Sequence, residues 1–251
     1  MPDFKEEILS TQAIRNKTII SFCFFFAFLA ACIFGWKWLH HQPVSDGALK
    51  PLRTVMNTNE KIFDNILSDD HLAKVFPISA AAHKVRVNGD AGMSAGFDPA
   101  AWKLKVVRKP GDTLLVTLDE IKSLPKTEIV FDFKCIEGWS QKTHWGGVKF
   151  TDFVKHFGLD QQSKLHYVGL VTPDEGYYVG IDQKSIMHPQ TILCYEMNGA
   201  PLPMNQGAPL RLIIPVKYGI KHLKRIGTIT FSDERPRDYW FEQGYDYFSG
   251  L

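Results

Sequence analysis

Cysteine is scarce in this chain: there are four among 251 residues, and two of them, Cys23 and Cys32, fall inside an N-terminal apolar run. No disulfide framework can be read from so few. The Cys-x-x-Cys-His haem signature and the cysteine spacings of iron–sulfur ligands are also missing, so an electron carrier of either kind is expected outside the chain. No His-x-x-x-His pair stands near an acid, and zinc is not expected. An excess of charge is lacking too. Lys and Arg number 29 against 27 for Asp and Glu, a net +2, which gives no whole-chain basic field, so nucleic acid is not an expected partner. Repeats and low-complexity tracts are absent.

What is present begins with that apolar run. Thr18 to Trp36 carries no charged residue, about the length that crosses a hydrocarbon core as a helix. Arg15 and Lys17 precede it, and Trp36 and Trp38 close it where indoles favour the membrane interface. The expectation is a cytoplasmic N-terminus (1–17), one transmembrane anchor (18–38) and a domain outside the cytoplasm, in a periplasm or outside the cell. A second reading makes the run a cleaved signal, with Leu29-Ala30-Ala31-Cys32 as a lipobox and Cys32 as a lipidated first residue. Both readings tether the domain to a membrane.

Residues 39–79 read as a linker with a short helix over Asn59 to Val75. The rest, 80–251, reads as one domain with a core of its own. A Gly-rich loop leads into a strand at Trp102 to Val106, and loops of that length are often functional. Further strands are expected at Thr113 to Leu118, Glu128 to Cys135, His166 to Leu170, Tyr177 to Ile181, Thr191 to Asn198, Leu210 to Pro215 and Ile226 to Phe231. Helical segments are expected at Leu118 to Ser123, Gly147 to Phe157 and Asp182 to His188. Many short strands with few helices indicate a mixed, strand-rich α+β fold.

Two segments carry chemistry. In the first, a strand runs into Lys134-Cys135-Ile136-Glu137-Gly138-Trp139-Ser140. A thiolate there is a soft metal ligand, and its pKa falls beside a cation such as Lys134 or beside a metal; the alternative is a small buried hydrophobe. In the second, Arg211, Lys217, Lys221, His222, Lys224 and Arg225 fall within fifteen residues, suited to an anion such as a phosphate or else to a solvated strand edge. Cys194, in an apolar strand, reads as core. Trp139 and Trp145 read as packing aromatics or as a wall of a substrate funnel.

The first segment, together with Gln206-Gly207-Ala208-Pro209-Leu210-Arg211, Pro215-Val216-Lys217-Tyr218-Gly219-Ile220-Lys221 and Met187-His188-Pro189, resembles the sulfite-oxidase superfamily of molybdopterin oxidoreductases, and within it the bacterial methionine-sulfoxide-reductase catalytic subunits. The resemblance runs from about Ala80 to Leu251. It implies that Cys135 is the catalytic protein ligand of molybdenum in a molybdenum–molybdopterin cofactor. It also implies that Arg86, Asn88, Thr172, Gln206, Arg211, His222, Leu223 and Lys224 contact that cofactor. The implied activity is oxygen-atom transfer on a small S- or N-oxide, with electrons from an external carrier, a membrane haem protein or a soluble cytochrome. Gln206 stands where the family has asparagine, His222 where it has a small residue, and a Tyr-Glu pair is missing from the loop before the first strand. Those departures leave the substrate open, with a sulfite-oxidising dehydrogenase or a non-catalytic tethered module as alternatives.

Overall fold

The computed structural model describes residues 10–87 and 89–251; the candidate Asn88 lies outside them. It opens with α1, Thr11–His40, capped by Ser10, whose hydroxyl accepts the Ala13 amide at 3.2 Å. None of its residues is buried, and by length and composition it could cross a membrane.

Two short strands follow, β1 Val44–Ser45 and β2 Ala48–Leu49. Asp46 and Gly47 turn between them with positive φ, as the Asp-Gly pair favours. Helix α2 then spans Lys50–Ile66. The sequence reading placed this helix at Asn59 to Val75 and counted Pro51 as part of a connector. The helix starts earlier because proline is at home in a first helical turn, where its missing N–H costs nothing. It ends earlier as well, at Ile66, before the run Ser68-Asp69-Asp70.

The remaining elements are β3 Leu104–Lys109, β4 Asp112–Val116, α3 Leu118–Lys122, β5 Lys126–Lys134, β6 Ser140–Lys149, α4 Phe150–His156, β7 Tyr167–Val171, β8 Tyr178–Asp182, α5 Gln183–Ile186, β9 Ile192–Met197, β10 Ala200–Pro201, β11 Arg211–Ile213, β12 Thr228–Ser232 and α6 Tyr239–Glu242. They form the mixed α+β fold expected. One sheet runs β10-β9-β6-β5 with β11 also on β9, and the other runs β4-β3-β12-β7-β8. All pairings are antiparallel except β12 with β3.

The larger core lies between the sheets. Leu104, Val106, Leu170 and Val179 from one meet Val148, Leu193 and Leu212 from the other, with Phe150 and Phe153 of α4. A smaller core covers the opposite face of the first sheet, where Ile129, Phe131, Phe133, Trp145, Ile192 and Cys194 pack. With both faces covered, β9 reads as a continuous apolar run, and Cys194 is the core residue it was expected to be.

Four strands lie outside the expected set, the two-residue β1, β2 and β10 and the long β6. The sequence marks no element between the Glu137-Gly138-Trp139 turn and the helix expected from Gly147, but β6 pairs with β5 from Lys134↔Ser140 to Lys126↔Val148 and the helix begins only at Phe150. The glycines hid it. At Gly147 a Cβ would strike the backbone of Leu193 and Cys194, so β9 crosses there only because no side chain stands in the way. The basic segment also departs from one of its readings. Arg211, Lys217, Lys221, His222, Lys224 and Arg225 are all buried, and no solvated edge exists.

Candidate cofactor site around Cys135

The β5–β6 hairpin places Cys135 at the head of its turn. Its amide donates to the Trp139 carbonyl at 2.9 Å, and the Gly138 amide returns to the Cys135 carbonyl at 3.0 Å. The residue is 5% exposed. Burial pushes the thiol's pKa up, opposed by the Glu137 N–H and by the charge of Arg86. The lowering expected from Lys134 is not found, because that side chain is exposed to water.

Cys135 lines a pocket of about 120 Å³ with Ile136, Tyr177, Gly219, Ile220, His222, Lys224, Trp240 and Tyr245. At Gly89 this pocket abuts a second cavity of about 360 Å³, lined by Asp90, Asn205, Met204 and Arg225 among others. The Gly-rich loop of the sequence forms the partition: Lys224 Nζ donates to the Gly89 carbonyl at 2.8 Å and Arg225 Nη1 to the Ser94 carbonyl at 3.1 Å. Gly219 keeps the pocket open on the hairpin side, since a Cβ there would lie 2.7 Å from the Phe133 ring. Phe133 in turn packs edge-on to His222 at 4.8 Å and stacks with Trp139 at 5.9 Å.

The electrostatics are lopsided. Lys217 pairs with Asp182 at 2.8 Å and Lys221 with Asp238 at 2.5 Å. Arg211 has no ion pair among the described residues. Its Nη1 donates to the Gln206 carbonyl and to Gln206 Oε1, its guanidinium lies 4.6 Å from the Trp145 ring centroid, and its Nε finds no hydrogen-bond partner. Burial pushes its pKa down to about 10. Lys224 is lowered to about 8, by burial first and then by the charge of Arg211. His222 falls to about 3 for the same two reasons, so it is neutral at pH 7. Its Nε2 donates to the Lys217 carbonyl at 3.1 Å, leaving Nδ1 as a buried acceptor with no partner. A buried cation without a counter-charge is costly unless a ligand supplies one.

The structure brings Cys135, His222 and Lys224 to one pocket, and sets Gln206 and Arg211 behind it around a small hollow with Arg86, Trp139 and Trp145. Arg86 is exposed, its guanidinium 4.5 Å over the Trp139 ring. Leu223 sits in the larger core, so only its backbone is available for contact. Thr172 faces a different groove. Its hydroxyl donates to Asp174 at 2.7 Å and accepts the Tyr177 amide at 3.1 Å, a staple of the β7–β8 turn. Through that turn Tyr177, not Thr172, reaches the Cys135 pocket. Sequence reasoning also passed over Trp240, Tyr245 and, as a site residue, Arg225. Only Arg225 had a signal, its place in the basic run.

Among the described residues no cluster of three or more metal-ligating side chains exists, so a metal on Cys135 needs its other ligands from a bound group. A pterin dithiolene with a terminal phosphate fits that requirement. Its thiolates complete a soft donor set, and its phosphate is an anion suited to the buried cations beside Gly89, Lys224 and Arg225. A family model described as the oxidoreductase molybdopterin binding domain matches residues 78–240. The chain belongs to this family. In the molybdopterin-binding family its relatives include an Azospira oryzae protein provisionally named a protein-methionine-sulfoxide reductase subunit, 35% identical over 74% of this chain and 70% of that one. The protein-methionine-sulfoxide reductase catalytic subunit of Xanthomonas campestris is 34% identical over 60% of this chain and 52% of its own. Mouse mitochondrial sulfite oxidase is 28% identical over 61% and 33%. The chain thus spans about half or less of the length of the last two. These relatives place it, as an oxidoreductase, in the sulfite-oxidase superfamily.

Proposed function

We propose that this chain is a membrane-anchored molybdenum-cofactor oxidoreductase that reduces a neutral sulfoxide with electrons from an external carrier. Cys135 is the protein ligand of the metal. Lys224 and Arg225 hold the anionic end of the pterin, with Arg211, Gln206 and His222 behind them and Arg86 and the Leu223 backbone at the margins; Asn88 is kept as a cofactor contact on the family resemblance alone. When bound, the cofactor supplies two-electron oxygen-atom transfer. A sulfoxide, two electrons and two protons give a thioether and water.

The observation that carries the substrate choice is the mouth over Cys135, formed by Ile136, Ile220, Tyr177, Trp240 and Tyr245. These five side chains are aromatic or aliphatic, suited to a methyl-sulfur group through contacts of sulfur with ring edges, while Glu137, His222 and Lys224 line the rest of the pocket. A sulfite dianion would need a cation turned to the opening, whereas Lys134 is exposed to water, His144 lies opposite Val130 beside Glu128, Arg86 stacks over Trp139, and Lys224 donates to the Gly89 carbonyl in the wall. The Tyr177 phenol, its hydroxyl donating to the Ile220 carbonyl at 2.6 Å and its pKa pushed up by burial, stays protonated. The names of the reductase relatives agree with a sulfoxide of methionine.

The arrangement proposed is a cytoplasmic N-terminus, α1 as a single span of the bacterial inner membrane, residues 39–79 as connector and 80–251 as the cofactor domain in the periplasm. The carrier is a membrane haem protein or a soluble cytochrome. The test is steady-state turnover of the holoenzyme with reduced viologen against methionine sulfoxide, dimethyl sulfoxide and trimethylamine N-oxide, beside sulfite oxidation with ferricyanide. Sulfoxide turnover with no sulfite oxidation is expected. Sulfite oxidation without sulfoxide turnover would overturn the substrate, and neither activity in molybdenum-replete enzyme would overturn the enzyme.

A further inference from the structure

Helix α2 is amphipathic in the wrong direction for a helix packed on a domain. The positions sheltered by the fold recur at helical spacing, Arg53, Met56, Asn57, Glu60 and Asp64, and all but the methionine are polar or charged. Arg53 is buried and donates to the carbonyls of Asp46, Phe241 and Tyr245. Glu60 pairs with Arg235, and the Asp64 carbonyl accepts from Lys184. The apolar stripe faces outward instead. Leu52, Val55, Ile62 and Ile66 lie within one narrow arc at 43–58% exposed, interrupted only by Asn59. Thr54, Thr58, Lys61 and Asn65 make a separate exposed polar stripe.

We infer that this outward stripe lies in the membrane interface, so that α2 is a second, surface-parallel contact between the domain and the bilayer. The inference rests on the proposed anchoring by α1. Two features commit the stripe to lipid. Only the β1–β2 hairpin separates α2 from the end of α1, so the stripe begins beside the span and continues its contact with lipid. The polar grip on the domain also leaves the apolar arc on the side away from the fold, the geometry in which an amphipathic helix sinks its apolar face among headgroups. A consequence concerns the site. Arg53 ties α2 to Phe241 and Tyr245, which flank and form the Trp240–Tyr245 rim of the Cys135 pocket, so the membrane contact fixes how the pocket mouth is presented to a carrier.

The full chain, with Cys23→Ser and Cys32→Ser, is reconstituted in phosphatidylcholine vesicles, and a bimane label is placed in turn at Val55→Cys, Ile62→Cys, Thr58→Cys and Asn65→Cys. Doxyl-phosphatidylcholine then serves as the quencher. Quenching about threefold stronger at positions 55 and 62 than at 58 and 65 is expected for a helix seated about 5–10 Å into the interface. Equal, weak quenching at all four positions in a chain that resists carbonate extraction would overturn the inference while leaving the anchor intact. Blue-shifted emission at 55 and 62 without lipid quenching would assign the stripe to a protein partner and overturn it equally. Release of the chain by carbonate would overturn the anchoring reading, and this inference with it.

Discussion

Replacing Arg211 by methionine separates the stability of the fold from its capacity for cofactor. The guanidinium is fully buried, and its pKa is depressed from 12.5 to about 10. A charge held at that cost destabilises the cofactor-free fold by about 3 kcal/mol, at about 1.4 kcal/mol per pKa unit. Against this stand two hydrogen bonds to Gln206 and the contact with Trp145, together worth about 2–4 kcal/mol. The two sums nearly cancel. Methionine fills most of the volume without a charge, so the cofactor-free variant should melt within about 4–8 °C of the unsubstituted protein, the shift that about 2 kcal/mol produces in a chain of this size. The stabilisation gained on loading, by contrast, should shrink, because binding to the native state adds RT ln(1 + [L]/Kd) and Kd has risen. Differential scanning calorimetry of loaded and cofactor-free samples, with molybdenum content measured on the same batches, reads both quantities. A cofactor-free variant that melts far below this range would show that Arg211 is structural. A variant that keeps full molybdenum and the full loading shift would refute the reasoning outright.

Other expectations follow from single contacts. In cofactor-free protein Lys224 loses its proton near pH 8 while an unfolded lysine holds it to about 10.5, so its contribution to stability rises with pH across that window. Its affinity for inorganic pyrophosphate falls about 10–100-fold over the same interval, as loss of a charge-assisted bond of about 1.5–3 kcal/mol implies; calorimetric titration at pH 7 and pH 9 should show this, and Lys224→Met should abolish the pH dependence. Gly219→Ala must displace Phe133, which packs on His222 and Trp139. A loss of about 1–3 kcal/mol and reduced cofactor retention are expected, and unchanged retention would mean the hairpin side of the pocket is not part of the site. Arg53→Ala frees the rim carbonyls of Phe241 and Tyr245; the KM for sulfoxide should rise several-fold with kcat little changed and Arg53→Lys should partly restore it, whereas a fall in kcat alone would show that the rim does not contact substrate.

The sequence carried most of the strands because each lies between turn signals: Lys109-Pro110-Gly111 brackets β3 and β4, and Asn198-Gly199 ends β9. It did not carry β6, where Gly146 and Gly147 serve a close crossing that only the folded sheet creates. The basic run was legible as anion chemistry but not as buried, since the carboxylates that neutralise Lys217 and Lys221, Asp182 and Asp238, come from elements distant in sequence. Cys135 and Lys224 were legible through motifs. Tyr177, Trp240 and Tyr245 were not, because nothing local marks an aromatic that a β-turn or a C-terminal loop swings over a pocket. Thr172 shows the reverse case, a motif position whose hydroxyl is occupied in its own turn and whose neighbour reaches the site.

Ligation by Cys135 of a molybdenum held by a pterin is decided by molybdenum and pterin analysis of protein from a cofactor-competent host, with sulfur coordination counted at the molybdenum absorption edge for the unsubstituted chain and for Cys135→Ser. About one molybdenum per chain with three thiolate sulfurs is expected, two from a pterin dithiolene and one from Cys135, falling to two in the variant. The same sulfur count in both proteins, or no molybdenum in the unsubstituted chain, would contradict it.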